Sequence, residues 1–131
     1  MTSLRRLYGC LGSRGTAAVE YALILPAFLT LIFGIFDGAR LVWFHVSLER
    51  AVAIAARCGA VGATDCTTDA AIASKASGSN STIKFAASAF TVAHESCGVR
   101  VHGAVTFRFL TAFVGMADKT VAATFCHPEA K

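Results

Sequence analysis

The rhythm of hydrophobic positions changes twice along this chain. From Thr16 to Phe36 the run TAAVEYALILPAFLTLIFGIF is almost continuously apolar and holds a single charge, Glu20. A helix of about 20 apolar residues spans the hydrocarbon core of a bilayer, so this stretch predicts a membrane-spanning helix. From Leu41 onward the apolar positions thin to every third or fourth residue, namely Leu41, Phe44, Leu48, Val52 and Ala55, with Glu49, Arg50 and Arg57 between them. That spacing predicts the same helix continuing beyond the membrane with one face covered. Alanines at 51, 53, 55 and 56 favour helix and leave a smooth surface. From Thr16 to Arg57 a continuous helix measures about 63 Å. Gly59 and Gly62 are stop signals.

Past residue 60 the segments are shorter. Thr67-Thr68-Asp69 can cap a short helix, DAAIASKAS, that ends at Gly78. The stretch 78–81 reads as a loop, and Asn80-Ser81-Thr82 has the form of a glycosylation sequon. Val99, Val101, Val105, Phe107 and Phe109 then alternate with Arg100, His102, Thr106 and Arg108, the period of a half-buried strand. Residues 119–126 alternate again, with Val121, Ala123 and Phe125 on one face. A loop around Gly115–Asp118 would join the two strands as a hairpin. Residues 83–93 are ambiguous, because Phe85 is out of phase with Phe90 and Val92; a bulge or a helical piece would account for it. The predicted fold class is α+β, a long N-terminal helix with a small antiparallel sheet as its head. The expected organisation is a basic leader at 1–15, the spanning and extended helix at 16–60, and an extracytoplasmic head at 61–131.

Charge changes this picture less than its total suggests. The 131-residue chain carries a formal +4, with 55% hydrophobic and 15% charged residues. An ordinary soluble domain is about 25% charged. Arg5, Arg6 and Arg14 stand in the first 15 residues without any acid, while the other 116 residues hold nine basic and eight acidic residues. The basic excess is therefore an N-terminal feature and not a nucleic-acid footprint. Arginines before the apolar run and none after it until Arg40 fit a cytoplasmic N-terminus, with the rest of the chain on the other side. Asp37, Arg40 and Trp43 then read as the far water interface. A cleaved secretory signal fits poorly, because the apolar run is too long and Asp37-Gly38-Ala39-Arg40 is a poor exit site.

Two residues inside the apolar run stand out. Glu20 costs roughly 2.5–3.5 kcal/mol near the centre of a membrane, and such a residue usually has a partner unless it reaches interfacial water. Pro26 removes a backbone hydrogen bond and bends a helix, which membrane helices tolerate. Gly34 and Gly38 have the G-x-x-x-G spacing that permits close helix approach, though it arises easily by chance.

The string Gly15-Thr16-Ala17-Ala18-Val19-Glu20-Tyr21, after a basic leader and before an apolar helix, resembles the processing site of type IV pilin precursors of the Flp subclass. Together with Pro26, the Asp37-Gly38 patch and the segment LERAVAIAARC, it is similar to TadE-like pseudopilins of the tight-adherence (Flp) pilus system. The resemblance covers residues 14–60; beyond them only the layout of the head is compatible. It implies that a prepilin peptidase cuts between Gly15 and Thr16, with Glu20 and Tyr21 part of the site. It further implies that Glu20 pairs with the new Thr16 amine of a neighbouring subunit; the bend at Pro26 either helps the helix pack in a filament or enter a platform, or is a harmless kink. The implied setting is the bacterial inner membrane, with the head outside the cytoplasm. The implied partners are membrane lipid, the peptidase, other pseudopilins and pilins, and a Tad-type assembly platform. No enzymatic activity and no cofactor are implied. The alternative is an uncleaved single-pass anchor with a binding or sensory head. A major pilin is disfavoured, because the Flp major subunit is generally very short.

The five cysteines are Cys10, Cys58, Cys66, Cys97 and Cys126. The implied cut discards Cys10 and leaves four on an oxidising side, where disulfides persist. Three pairings are open; Cys58–Cys66 would close the loop after the long helix, and Cys97–Cys126 would tie strand ends. Buried free thiols are the competing state. His94, Cys97, His102, Cys126 and His127 match no zinc spacing. Neither a phosphate loop nor a nucleophile elbow occurs.

Overall fold

A single helix, α1, runs Arg14–Ala60, and its two parts meet opposite fates. In the computed structural model the described residues are 14–79, 82–111, 115 and 117–129. They fall into two units, one reaching to Phe36 and one from Asp37 onward. Leader residues Arg5, Arg6 and Cys10, the sequon positions Asn80 and Ser81, and Met116 of the expected hairpin loop lie outside the described residues.

In the first unit no described residue of α1 is buried. Tyr21, Leu23, Ile24, Phe28, Leu31 and Ile35 are all exposed. The most apolar 18-residue window of the helix has a mean hydropathy of 2.1, with none of it buried. Water does not tolerate such a surface, so length and composition alone suit it to a bilayer. The proline is absorbed without ending the helix, and the Thr30 hydroxyl donates to the Pro26 carbonyl at 2.8 Å.

In the second unit one face of α1 is the floor of the core. Leu48, Ala51, Val52, Ala55, Ala56 and Ala60 are buried, and Leu41 and Phe44 pack against them. Four of the six buried residues are alanine, which lets the neighbouring elements approach the helix closely. The helix stops at Gly62, which has φ +66° and whose N–H donates to the Gly59 carbonyl at 3.1 Å. A loop then leads to α2, Asp69–Gly78, capped by the Thr68 hydroxyl, which accepts from the Ala71 amide at 3.2 Å. Ile72 and Ala76 are its buried residues.

The ambiguous stretch 83–93 resolves into a helical piece followed by a strand. A 3-10 turn at Ala87–Ala89 precedes β1, Phe90–Glu95. That turn shifts the phase, so Phe85 and Phe90 both enter the core, 6.1 Å apart edge to face. Strand β2 is Gly98–Phe107 and β3 is Lys119–His127. The sheet is antiparallel in the order β1-β2-β3. Val99, Val101, Phe107, Val121 and Ala123 face inward and are buried. One sequence expectation needs correction. The second strand ends at Phe107, not Phe109, because residues 108–111 leave the sheet for α1. Phe125 has the inward parity but is 43% exposed, because β3 is an edge strand and faces a groove of about 400 Å³ beside Glu49, Arg50 and Ala53.

Gly103 shows how tightly the middle of the sheet is filled. It pairs with Phe90 on one side and Ala123 on the other. A Cβ there would stand 2.9 Å from the Phe90 ring and 3.1 Å from Leu48 Cδ1. Glycine is thus the residue that lets Phe90 lie across the sheet onto α1. Gly103→Val is expected to destabilise the second unit by about 1–3 kcal/mol through overpacking. Chemical unfolding followed by circular dichroism checks this, and an unchanged midpoint would contradict it.

Candidate functional site

Two sets of residues carry chemistry, one in each unit. In the first unit, Gly15, Thr16, Glu20, Tyr21 and Pro26 all lie on α1. Gly15 is half-buried, Glu20 and Tyr21 are exposed, and the Thr16 side chain is outside the described residues. Gly15 sits in the first turn of the helix, where amides lack intrahelical partners and ends fray. A peptidase acting at Gly15 would need only this turn to open. Among the described residues Glu20 has no ion-pair partner. A Cβ added at Gly34 would meet nothing within 4 Å among the described residues.

The second set centres on Asp37, whose side chain is only 1% exposed. Its Oδ2 accepts the Thr111 amide at 2.8 Å and the Thr111 hydroxyl at 2.7 Å. Its Oδ1 accepts the Leu110 amide at 3.1 Å and Arg40 Nη1 at 3.0 Å. The Arg40 guanidinium also lies 5.3 Å above the centre of the Phe107 ring. Phe107 in turn meets Phe44 and Phe109 edge to face at 5.4 and 5.1 Å. One carboxylate thus clamps the exit of β2 onto α1. Burial pushes its pKa up, but the donors from Thr111, Leu110 and Arg40 outweigh this and hold it below the ordinary aspartate value of 3.8. Sequence reading placed Asp37 at a water interface and missed this role. The available signal was an acid ending the apolar run with Arg40 one turn later, but its partner lies 74 residues away.

The remaining chemistry is bracing. Cys58 is joined to Cys66 and Cys97 to Cys126. The first bridge closes the loop after α1, and Lys75 pairs with Asp65 in that loop at 2.6 Å. The second ties the start of β2 to the end of β3. His94 reaches Asp69 and Glu129, each at 3.2 Å, and these two carboxylates raise its pKa above 6.5. His102 contacts the Thr124 hydroxyl at 2.8 Å across the sheet. Among the described residues no group of three or more His, Cys, Asp or Glu could hold a metal ion.

Residues 15–57 match the family model described as TadE-like protein. Over this stretch the chain is TadE-like. The matched stretch is about a third of the chain. It begins at the glycine of the sequence motif and ends in the covered part of α1, so it includes both Glu20 and Asp37. Comparison with curated proteins found no match, and comparison with solved structures found none either. The sheet head beyond the TadE-like segment is therefore described by its own structure alone.

The Asp37 clamp makes a pH prediction. A carboxyl with a lowered folded pKa contributes stability above its unfolded value, and loses it as pH falls through the folded value. Asp37→Asn is expected to lower the unfolding midpoint at pH 7. The difference from wild type should shrink as pH falls below about 3.8. Thermal unfolding of the full chain in detergent at several pH values tests this. An Asn variant as stable as wild type at pH 7 would remove the clamp.

Proposed function

We propose that this chain is a minor pseudopilin that helps assemble a Tad-type pilus or a related secretion filament. In this reading the precursor sits in the bacterial inner membrane, with its N-terminus cytoplasmic and its head outside. A prepilin peptidase cuts after Gly15, and the apolar helix with the new Thr16 amine enters the assembly. The role is one of assembly rather than catalysis.

The observation that carries the reading is the TadE-like match starting at Gly15, on a helix whose first unit exposes large apolar side chains and holds one acid, Glu20. Glu20 lies one turn beyond Thr16. A lone carboxylate in a membrane is costly. An ammonium from a neighbouring subunit would offset that cost, and it would fix the stagger between helices because few other positions satisfy both charges. The disulfides support a head on the oxidising side of the membrane.

Co-expression of the full chain with the prepilin peptidase and the Tad assembly proteins tests this directly. Mass spectrometry of the membrane protein is expected to find a chain beginning at Thr16. Gly15→Ala should leave the precursor uncut. Glu20→Gln should still be cut but should fail to support piliation. An intact Met1 start in the wild type would instead make the protein an uncleaved anchor.

A further inference from the structure

Among the described residues, the second unit leaves one face of α1 exposed, opposite the face that forms the core. Trp43, Val46, Arg50, Ile54, Arg57 and Val61 follow one another at steps of three and four residues, so they line a single stripe. Val61 continues the last turn, its amide donating to the Arg57 carbonyl at 3.0 Å. Trp43 is 59% exposed and Val61 60%, and Val46 and Ile54 are exposed as well. A row of four large apolar side chains on an otherwise braced unit marks a contact surface.

The two arginines say what kind of contact. Arg50 and Arg57 are seven residues apart, about 10.5 Å along the axis. Among the described residues neither has an ion-pair partner, although the other ions of this unit are largely matched. The nearest acid in sequence, Glu49, lies off the stripe and reaches His45 at 3.4 Å. The acids of α1 are Glu20, Asp37 and Glu49, and none stands on the stripe. A second copy laid parallel along this face would set Arg50 against Arg50 and Arg57 against Arg57, as positions seven apart do in a parallel helix pair. Burying like charges together is the repulsive element by which an interface rejects a wrong partner.

We propose that this stripe seats an α-helix of a different protein. That helix carries two carboxylates two turns apart among apolar side chains, and the stripe rejects a second copy of this chain. The inference deepens the reading as an assembly component by giving the chemistry of the partner, and it rests on that reading for the partner's being another membrane-anchored helix. It does not depend on cleavage at Gly15.

A charge-reversed copy of the chain is the probe. Arg50→Glu/Arg57→Glu keeps the apolar stripe and places two carboxylates two turns apart. Both residues are exposed, so the variant should fold, which circular dichroism confirms. Full-length copies labelled at the C-terminus are mixed in phosphatidylcholine nanodiscs at low salt and read by energy transfer. Wild type with the reversed copy is expected to associate about fivefold more tightly than either with itself, the ratio that two exposed ion pairs support. Trp43 is the only tryptophan, so its emission should shift to the blue in the mixed pair alone. Arg50→Gln/Arg57→Gln, which removes the repulsion, should pair with itself more than wild type does. Equal association in all mixtures would overturn the proposal. So would a blue shift of wild-type Trp43 in phosphatidylglycerol nanodiscs that both double variants lose, since a lipid surface would then cover the stripe. Precursor and cut forms are separated by mass spectrometry beforehand, so a failure of processing is scored apart from a failure of pairing.

Discussion

The burial of one face of α1 from Asp37 to Ala60 is the constraint on which the second unit depends. A three-stranded sheet has two faces and two edges, and its stability depends on covering a hydrophobic face, here by packing against a helix. Here its inward residues, Val99, Val101, Phe107, Val121 and Ala123, close onto Leu48, Val52 and the alanines of the helix. Each fully buried valine or leucine contributes about 1.5–3 kcal/mol. The alanines contribute less area but set the distance, and Gly103 answers them from the sheet side by making room for Phe90. Short side chains on the helix and a missing one on β2 are thus one packing solution. Enlarging either would push the sheet off the helix.

Polar groups fix the ends of that seam. At one end the carboxylate of Asp37 takes two backbone amides and a hydroxyl from Leu110 and Thr111. Those amides leave the sheet ladder when β2 ends at Phe107, and a buried amide without an acceptor is costly. Asp37 supplies the acceptor, and Arg40 balances its charge while lying on Phe107. At the other end Cys58–Cys66 and the Asp65–Lys75 pair hold the turn out of α1. Along the far side of the sheet Cys97–Cys126 and His94 do the same for β1, β2 and α2. Few of these ties are strong alone; they matter because each closes a place where the small core offers no burial.

What the sequence made legible follows from the range of each interaction. The long helix, the cap at Thr68 and the alternation in β2 and β3 are local, so periodicity and capping reveal them. The 3-10 turn at Ala87–Ala89 breaks a period without announcing how, and only its consequence, the misphased Phe85, was visible. Asp37 and Thr111 meet across 74 residues, which no local pattern encodes. The exposure of Phe125 is likewise non-local, because strand order makes β3 an edge and Ala53 is too short to cover it. The motif around Gly15 was legible for a different reason. It is a run of consecutive residues, so its information lies in the string rather than in contacts within this chain.

The apolar excess of the chain thereby divides into three surfaces with different rules. The face of α1 toward the sheet is satisfied internally. The first unit exposes leucine, isoleucine and phenylalanine on all sides with one acid, a surface that lipid can solvate without regard to orientation. The outer stripe of the second unit is neither of these, because Arg50 and Arg57 interrupt it at a fixed interval. Cations in such a place lower the gain from any apolar contact that leaves them unmatched. A chain that needed only to anchor itself, or only to pair with its own kind, would be better served by alanine or glutamine at both positions. Their presence makes the stripe selective, and selectivity has a use only where several similar helices share one membrane and must be told apart.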